Sequence, residues 1–160
     1  MPTDLRKMQL ISTHIVMTPN VGVHGNLFGG TMLGWIDEAA GAFAGQFADT
    51  PRMVTAKLYE TAFLSPARAG NLIKIYACVK EVGNTSVTLT VEARKHSVYT
   101  GVQKTITKTN IKFVRIDEDC DPVPISERAK MKLHENEPGQ DTRDRLAQIQ
   151  KWRQNLKKQE

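Results

Sequence analysis

Apolar side chains recur at every third or fourth position over one stretch of the first third of the chain, which predicts a single long amphipathic helix. The repeating positions are Met32, Leu33, Ile36, Ala40, Phe43 and Phe47. Glycines at positions 30, 34, 41 and 45 interrupt this stretch, and each one lowers helix propensity by about 1 kcal/mol relative to alanine. A helix that keeps these glycines is expected to lie close to another element, and a sheet wrapped around it is the arrangement we predict.

Strand-like runs precede and follow this helix. The first covers residues 10–17, and the later ones cover residues 53–63, 72–82, 86–94 and 104–116. Residues 87–91 alternate strictly in polarity, and Gly83-Asn84 between two runs is a hairpin signal. One long helix followed by consecutive antiparallel strands predicts an α+β domain rather than a βαβ dinucleotide-binding fold.

The chain changes character after an acidic, proline-containing turn at residues 117–124. We therefore predict a folded domain at residues 1–125 and a helical, basic extension at residues 126–160. The last helical pattern places Leu146, Ile149, Trp152 and Leu156 on one face. From Arg145 to Glu160 there are five basic residues and one acidic residue, so this segment holds most of the formal net charge of +5. The body is nearly neutral, and we expect no nucleic-acid partner.

Composition narrows the classes of protein further. No apolar run approaches the roughly 18 residues that a membrane span requires, and the first eight residues carry Asp4, Arg6 and Lys7 without an apolar segment. We expect a cytoplasmic protein with no membrane partner and no secretory signal. Neither Cys78 nor Cys120 lies in a Cys-x-x-Cys or Cys/His cluster. The four histidines are scattered, so we expect no metal and no cofactor.

A glycine-rich loop runs directly into the predicted helix, with the sequence His24-Gly25-Asn26-Leu27-Phe28-Gly29-Gly30. Paired glycines let the backbone approach a ligand closely. The first N–H groups of a helix lack internal acceptors and, with the helix dipole, bind developing negative charge. The loop is therefore a candidate oxyanion site centred on the Gly30 N–H, although a glycine-rich loop without function has the same pattern.

Asp37 lies about two turns into the helix, on a face shared with Leu33, Gly34 and Gly41. That face is poor in polar side chains, so we expect a partly desolvated carboxylate suited to work as a general base or a nucleophile. Glu38 beside it has the simpler interpretation of a partner for the helix dipole.

Five motifs in one order make the chain resemble the acyl-CoA hydrolase branch of the hotdog-fold thioesterases, over about residues 9–125. They are the glycine-rich loop with Asp37-Glu38, Val54-Thr55-Ala56, Phe63-Leu64-x-Pro66-x-x-x-Gly70, Val82-Gly83-x-Thr85-Ser86, and Phe113-Val114-x-x-Asp117 with Val123-Pro124. One departure is Asn84, which stands where this family often has a basic residue.

The resemblance implies an antiparallel β-sheet wrapped around one long central helix, two domains joined through a continuous sheet, and commonly a trimer of dimers. It also implies hydrolysis of acyl-CoA to a free acid and CoA, without metal or redox cofactor, at a site in the dimer interface. The family's catalytic Asn and Asp match Asn26 and Asp37. The substrate-binding or CoA-binding candidates are His24, Gly29, Phe63, Thr85 and Ser86. Trp35 is interpreted as a packing residue rather than part of an acyl pocket.

Helix geometry gives independent reason for a shared site. Gly30 and Asp37 are seven residues apart, which is about 10 Å along a helix axis. One chain's Asp37 is too far from a carbonyl held at its own helix N-terminus. We therefore predict that Asn26 and Gly30 of one chain face Asp37 of a partner chain, as a two-fold interface would arrange.

Two other functions compete with hydrolysis. An enoyl-thioester hydratase of the same fold is expected to carry an Asp/His pair, and His24 has no obvious Asp partner. A non-enzymatic acyl-CoA sensor that regulates transcription needs an element that reads DNA. The residues before the first strand are too few to form one.

Overall fold

The computed structural model describes residues 4–134, together with Lys151 and Gln154. Two helices and six strands, given in chain order, make up the domain. They are β1 (Gln9–Ile15), α1 (Gly29–Ala48), β2 (Met53–Leu58), β3 (Ala62–Phe63), β4 (Leu72–Val82), β5 (Ser86–His96), β6 (Gln103–Arg115) and α2 (Glu127–His134). A single turn of 3₁₀ helix at Thr18–Asn20 precedes α1.

All strand pairs are antiparallel, and the sheet has the order β1-β4-β5-β6-β2, with β3 also paired to β6. Alternate residues of β4, from Ile73 to Val79, are buried and point to the same side as α1. The helix contacts β1, β2, β4, β5 and β6, and its buried residues Met32, Ile36, Phe43 and Phe47 join the sheet in one apolar core. This is the sheet wrapped around a helix that the sequence predicts.

The predicted strand at residues 53–63 is wrong in one respect, because it is broken into β2 and β3. At the break, the Thr61 hydroxyl oxygen lies 3.1 Å from the Tyr59 carbonyl oxygen and 2.9 Å from the Thr109 hydroxyl oxygen, within hydrogen-bond distance of both. A side chain that bonds nearby backbone offers the chain an alternative to the strand ladder. The interruption gives this edge of the sheet two short strands instead of one.

The glycines of α1 have different neighbours, so close approach to the sheet explains some of them but not all. A Cβ atom on Gly41 would contact the Phe113 ring of β6 at 3.6 Å, which fits the expected close approach to the sheet. A Cβ on Gly34 would meet nothing within 4 Å. Gly34 therefore lies on a part of α1 that no described residue of the same chain covers.

The first helical pattern predicted after residue 126 is confirmed as helix α2. A side chain of α2 bonds to the C-terminal end of α1. The ammonium group of Lys132 donates to the carbonyls of Gln46 and Phe47 at 3.0 and 2.9 Å, and to Asp49 at 2.7 Å. A cation at this position complements the helix dipole. The predicted helix containing Leu146, Ile149, Trp152 and Leu156 lies outside the described residues. Among those described, no helix is both long and apolar enough to cross a membrane.

Candidate active site

Backbone hydrogen bonds hold the glycine-rich loop against the start of α1. The Leu27 N–H donates to the Ala67 carbonyl at 2.6 Å, and the Phe28 N–H donates to the Asn20 carbonyl at 2.9 Å. The first helical bond runs from the Met32 N–H to the Phe28 carbonyl, and no side chain caps the helix. The N–H groups of residues 29–31 therefore have no helical acceptor, and no acidic residue lies in the first turn.

A cavity of about 360 Å³ opens beside this helix start. Three of the residues singled out from the sequence, Asn26, Gly29 and Phe63, line it together. Its buried wall is formed by Met32, Ala67, Ile106 and Thr107. Phe28 and Leu64 add exposed apolar surface nearby, with exposed fractions of 62% and 61%. The cavity offers an apolar volume next to a group of free N–H donors.

The carboxamide of Asn26 has an unsatisfied hydrogen-bond acceptor. Its Oδ1 atom is the one buried side-chain polar atom among the described residues that has no hydrogen-bond partner. A buried acceptor left unsatisfied costs about 1–3 kcal/mol. The backbone of Asn26 is fixed by a bridge to Arg68 and by a bond from the Gly22 N–H at 2.8 Å. A carboxamide held in this way beside a cavity is suited to bind a donor group of a ligand.

Asp37 lies away from the cavity and is exposed in the single chain. The expectation of a partly desolvated carboxylate is therefore wrong for the chain by itself, because the small residues around it, such as Gly34, do not cover it. One side chain does contact it: the Thr55 hydroxyl of β2 donates to Asp37 Oδ1 at 2.7 Å. This bond fixes the carboxylate at the free edge of the sheet.

The remaining candidates are more dispersed. His24 is exposed in the loop before Asn26 and does not line the cavity. Thr85 and Ser86 lie at the start of β5. Strand β6 separates them from β2, because Val114 of β6 pairs with Ser86 on one side and with Val54 on the other. They share one end of the sheet with Asp37 but contact neither Asp37 nor Asn26 through any hydrogen bond given by the structure.

Trp35 packs against the core and stacks on His14 of β1, with ring centroids 4.4 Å apart and an interplanar angle of 7°. It does not line the cavity, in agreement with its interpretation as a packing residue. Burial lowers the pKa of His14, and the nearby Glu38 carboxylate opposes this effect. The pair belongs to the β1 side of α1, away from Thr55.

Sequence reasoning did not single out Thr55, although it lies in one of the motifs behind the resemblance. Its contact with Asp37 spans 18 residues, and it depends on the position of β2 at the sheet edge. Thr107 was also missed. It is 1% exposed yet borders the cavity, whereas its sequence context is that of an ordinary strand threonine.

Comparisons with known proteins give the family of the chain. A family model described as the thioesterase superfamily matches residues 24–102. An uncharacterized acyl-CoA thioester hydrolase of Zymomonas mobilis is 32% identical over 116 residues, which is 71% of this chain and 77% of the relative.

Solved structures give the same class. A hexameric hotdog-fold thioesterase of Campylobacter jejuni aligns with a TM-score of 0.68 and 30% identity, over 76% of this chain and 93% of that one. The aspartate-to-alanine mutant of a hexameric broad-specificity acyl-coenzyme A thioesterase aligns with a TM-score of 0.74 and 22% identity, over 81% and 94% of the two chains. At that identity it bears on the fold alone.

The sheet wrapped around a central helix is the hotdog fold, and the relatives make the chain a thioester hydrolase. The chain belongs to the thioesterase superfamily and, within it, to the acyl-CoA hydrolase branch that its motifs resemble.

Proposed function

We propose that the protein hydrolyses acyl-CoA thioesters to a carboxylic acid and CoA. The observation that carries the proposal is the group of unpaired N–H donors at the start of α1, placed beside Asn26 and an apolar cavity. The acyl chain would occupy the cavity, and the thioester oxygen would accept a bond from the Gly30 N–H. Such donors stabilise the charge that develops on the oxygen when the carbonyl is attacked.

The site is proposed to form between two copies of the chain. Among the strands that the structure describes, β2 pairs only with β6, and five of its six residues are exposed. An edge strand of this kind is a ready surface for pairing with another chain. Asp37 lies beside that edge through its bond to Thr55. A partner chain paired along β2 would cover Asp37 and bring its own helix N-terminus toward the carboxylate.

In the proposed reaction, Asp37 of one chain acts on a thioester held by Asn26 and Gly30 of the other. The carboxylate either takes a proton from water, which then attacks the carbonyl carbon, or attacks that carbon itself to form an anhydride that water cleaves. In both routes the carbon–sulfur bond breaks and CoA leaves as the thiol after protonation. The Asn26 carboxamide orients the water or the carbonyl.

The assembly and the chemistry have further proposed features. We propose a homo-oligomer with the two-fold pair as its unit, and a hexamer like that of the Campylobacter relative.

No metal or cofactor takes part in the proposed reaction, because an oxyanion site makes a Lewis acid unnecessary. A cytoplasmic location remains a prediction from the sequence.

The proposed function is tested by incubating the purified protein with acyl-CoAs from acetyl to palmitoyl and measuring free thiol release. We expect turnover of one or more of these substrates, unchanged by EDTA. Binding of acyl-CoA without thiol release would contradict hydrolysis and favour the acyl-CoA sensor. Loss of activity in EDTA, with recovery on adding one metal, would contradict the metal-free mechanism.

Replacing Thr55 by valine tests whether the bond to Asp37 serves the reaction. We expect kcat to fall by about tenfold or more with little change in KM, because hydrogen bonds to charged groups contribute about 1.5–3 kcal/mol. Thr55→Ser keeps the hydroxyl and is expected to retain most of the activity. Equal kcat values in the valine and serine variants would show that the bond does not serve catalysis.

A further inference from the structure

A buried hydroxyl group, that of Thr107, lies in the wall of the cavity of about 360 Å³ beside the start of α1. In the sheet, Thr107 of β6 is opposite Ala93 of β5 and Phe63 of β3. Residues in this relation point to the same face of a sheet. Because Ala93 is fully buried and Phe63 lines the cavity, this is the face toward α1. Strands on both sides therefore hold Thr107 in place at the cavity wall.

The hydroxyl of Thr107 has no hydrogen-bond partner within the described fold, although the residue is only 1% exposed. Asn26 Oδ1 is the one fully enclosed side-chain polar atom without a partner among the described residues, so the Thr107 oxygen is reached from the cavity that it borders. Thr109 lies two residues further along the same face and is 2% exposed. Its hydroxyl is 2.9 Å from the Thr61 hydroxyl and within hydrogen-bond distance of two backbone carbonyls. The same face of β6 thus bonds one buried threonine within the chain and leaves the other for the contents of the cavity.

Thr88 is the third buried threonine of the described residues, and it too forms no side-chain hydrogen bond. It alternates in β5 with Val87 and Leu89, which are fully buried on the side of α1, so its side chain is on the outer face of the sheet. Ser65 lines the cavity but is only half-buried. Among the described residues, Thr107 alone combines burial, an unpaired hydroxyl and a place in the cavity wall.

The remaining wall limits the chemistry of a partner for this hydroxyl. No charged side chain is among the described residues that line the cavity, and Met32, Leu64 and Ile106 give it apolar surface. A carboxylate or an ammonium group would be buried here without an opposite charge, which is costly. An unsubstituted alkyl chain would leave the Thr107 hydroxyl unpaired. A hydroxyl on the ligand avoids both costs and, unlike an oxo group, pairs whichever way the Thr107 hydroxyl turns.

The position of Thr107 shows which part of the acyl chain it meets. The Phe63 Cζ atom is 3.4 Å from the place that a Cβ atom on Gly29 would take, and the backbone of Phe63 pairs with that of Thr107. Thr107 is therefore about one aromatic side chain away from the start of α1, where the thioester is proposed to bind. A partner hydroxyl belongs near the thioester end of the acyl chain, on its second or third carbon.

We infer that the acyl group of the substrate carries a hydroxyl on its second or third carbon, which bonds to Thr107, so that the protein prefers hydroxyacyl-CoA to unsubstituted acyl-CoA of the same length. This inference deepens the proposed function and rests on it. Thr107 is a specificity-determining residue, separate from Asn26 and Gly30, which act on the thioester group. Because the sheet fixes the partner hydroxyl, the two enantiomers of a hydroxyacyl group are expected to bind it unequally.

Free thiol release from matched substrates tests the inference. The substrates are hexanoyl-CoA and both enantiomers of 2-hydroxyhexanoyl-CoA and of 3-hydroxyhexanoyl-CoA. We expect kcat/KM for at least one hydroxy form to exceed that for hexanoyl-CoA by about tenfold or more, because a site that pairs a substrate hydroxyl disfavours the analogue that lacks it. The two enantiomers of that form are expected to differ.

Three variants assign the preference to the hydroxyl of Thr107. Thr107→Val keeps the shape of the side chain and is expected to lower kcat/KM about tenfold for the preferred hydroxy form and to raise it for hexanoyl-CoA, so that the difference between enantiomers also disappears. Thr107→Ser keeps the hydroxyl and is expected to keep the preference. Thr88→Val removes a buried, unbonded hydroxyl from the outer face and is the matched control, with unchanged ratios between substrates. The Tm of each variant checks its fold.

The possible results separate the inference from the proposed function. Equal kcat/KM values for hexanoyl-CoA and every hydroxy form in the wild type would overturn the inference and leave thioester hydrolysis intact. A Thr107→Val variant that changes all substrates by the same factor, or none of them, would also overturn it. If the wild type hydrolyses no thioester, the proposed function fails. Titration calorimetry with the same thioesters then decides the inference, which requires tighter binding of a hydroxy form and loss of that difference in Thr107→Val.

Discussion

Replacing Asp37 by alanine is expected to lower kcat for thioester hydrolysis by two orders of magnitude or more, the usual range for loss of a general base. The carboxylate is exposed in the single chain and bonds only to Thr55 among the hydrogen bonds of the described residues, so its removal leaves no buried group unsatisfied. The variant is therefore expected to fold and to bind CoA. Thiol release gives kcat, and circular dichroism and CoA titration check the fold and the binding.

Two further variants make the Asp37 experiment specific. Asp37→Asn keeps the shape of the side chain but loses its basicity, so it is expected to be as impaired as the alanine variant. Glu38→Gln removes the neighbouring exposed carboxylate of α1 and is expected to leave kcat within about threefold of the wild type, because Glu38 lies near His14 and outside the cavity. It lies beyond the first turn of α1, so the predicted role as a partner for the helix dipole is wrong. Turnover close to wild type in Asp37→Ala would remove this residue from the mechanism.

The elements with strong periodicity could be predicted from the sequence with little error. Strand β4 has the predicted bounds, and β5 and β6 differ from theirs only at the ends. The apolar stripe of α1 is buried against the sheet at Met32, Ile36, Phe43 and Phe47. The break between β2 and β3 could not be predicted, because it arises from a bond between Thr61 and Thr109. These residues are far apart in sequence, and each is also common in an unbroken strand.

The candidate site was also predictable only where its residues are close in sequence. The loop, Asn26 and the free helix N-terminus are neighbours in the chain, so the motif predicted that they lie together. Phe63 lies beside them only because β3 pairs with β6. The environment of Asp37 depends on what surrounds the helix, so periodicity alone could not show that the face is open in one chain. The orphaned Asn26 Oδ1 likewise depends on the fold around it.

Mixing two inactive proteins is expected to restore activity if the site is shared. Asn26→Ala and Asp37→Ala each inactivate both sites of their own dimer. After subunit exchange, about half the dimers are mixed, and each has one site with both changes and one with neither. Recovery should then approach about a quarter of wild-type activity, provided that the sites act independently. Thiol release is measured before and after exchange.

The structure makes this experiment feasible and its outcome interpretable. Asn26 is positioned by its backbone, through Gly22 and Arg68, and its Oδ1 has no partner to lose, so Asn26→Ala is expected to keep the fold and the dimer. Exchange itself is followed by mixing differently tagged subunits. If both residues served a site within one chain, every site would remain broken and mixing would restore nothing. If exchange is confirmed and activity does not recover, the assignment across two subunits is excluded. Thioester hydrolysis by a single-chain site is not excluded by that result, because the N–H donors and the cavity belong to one chain.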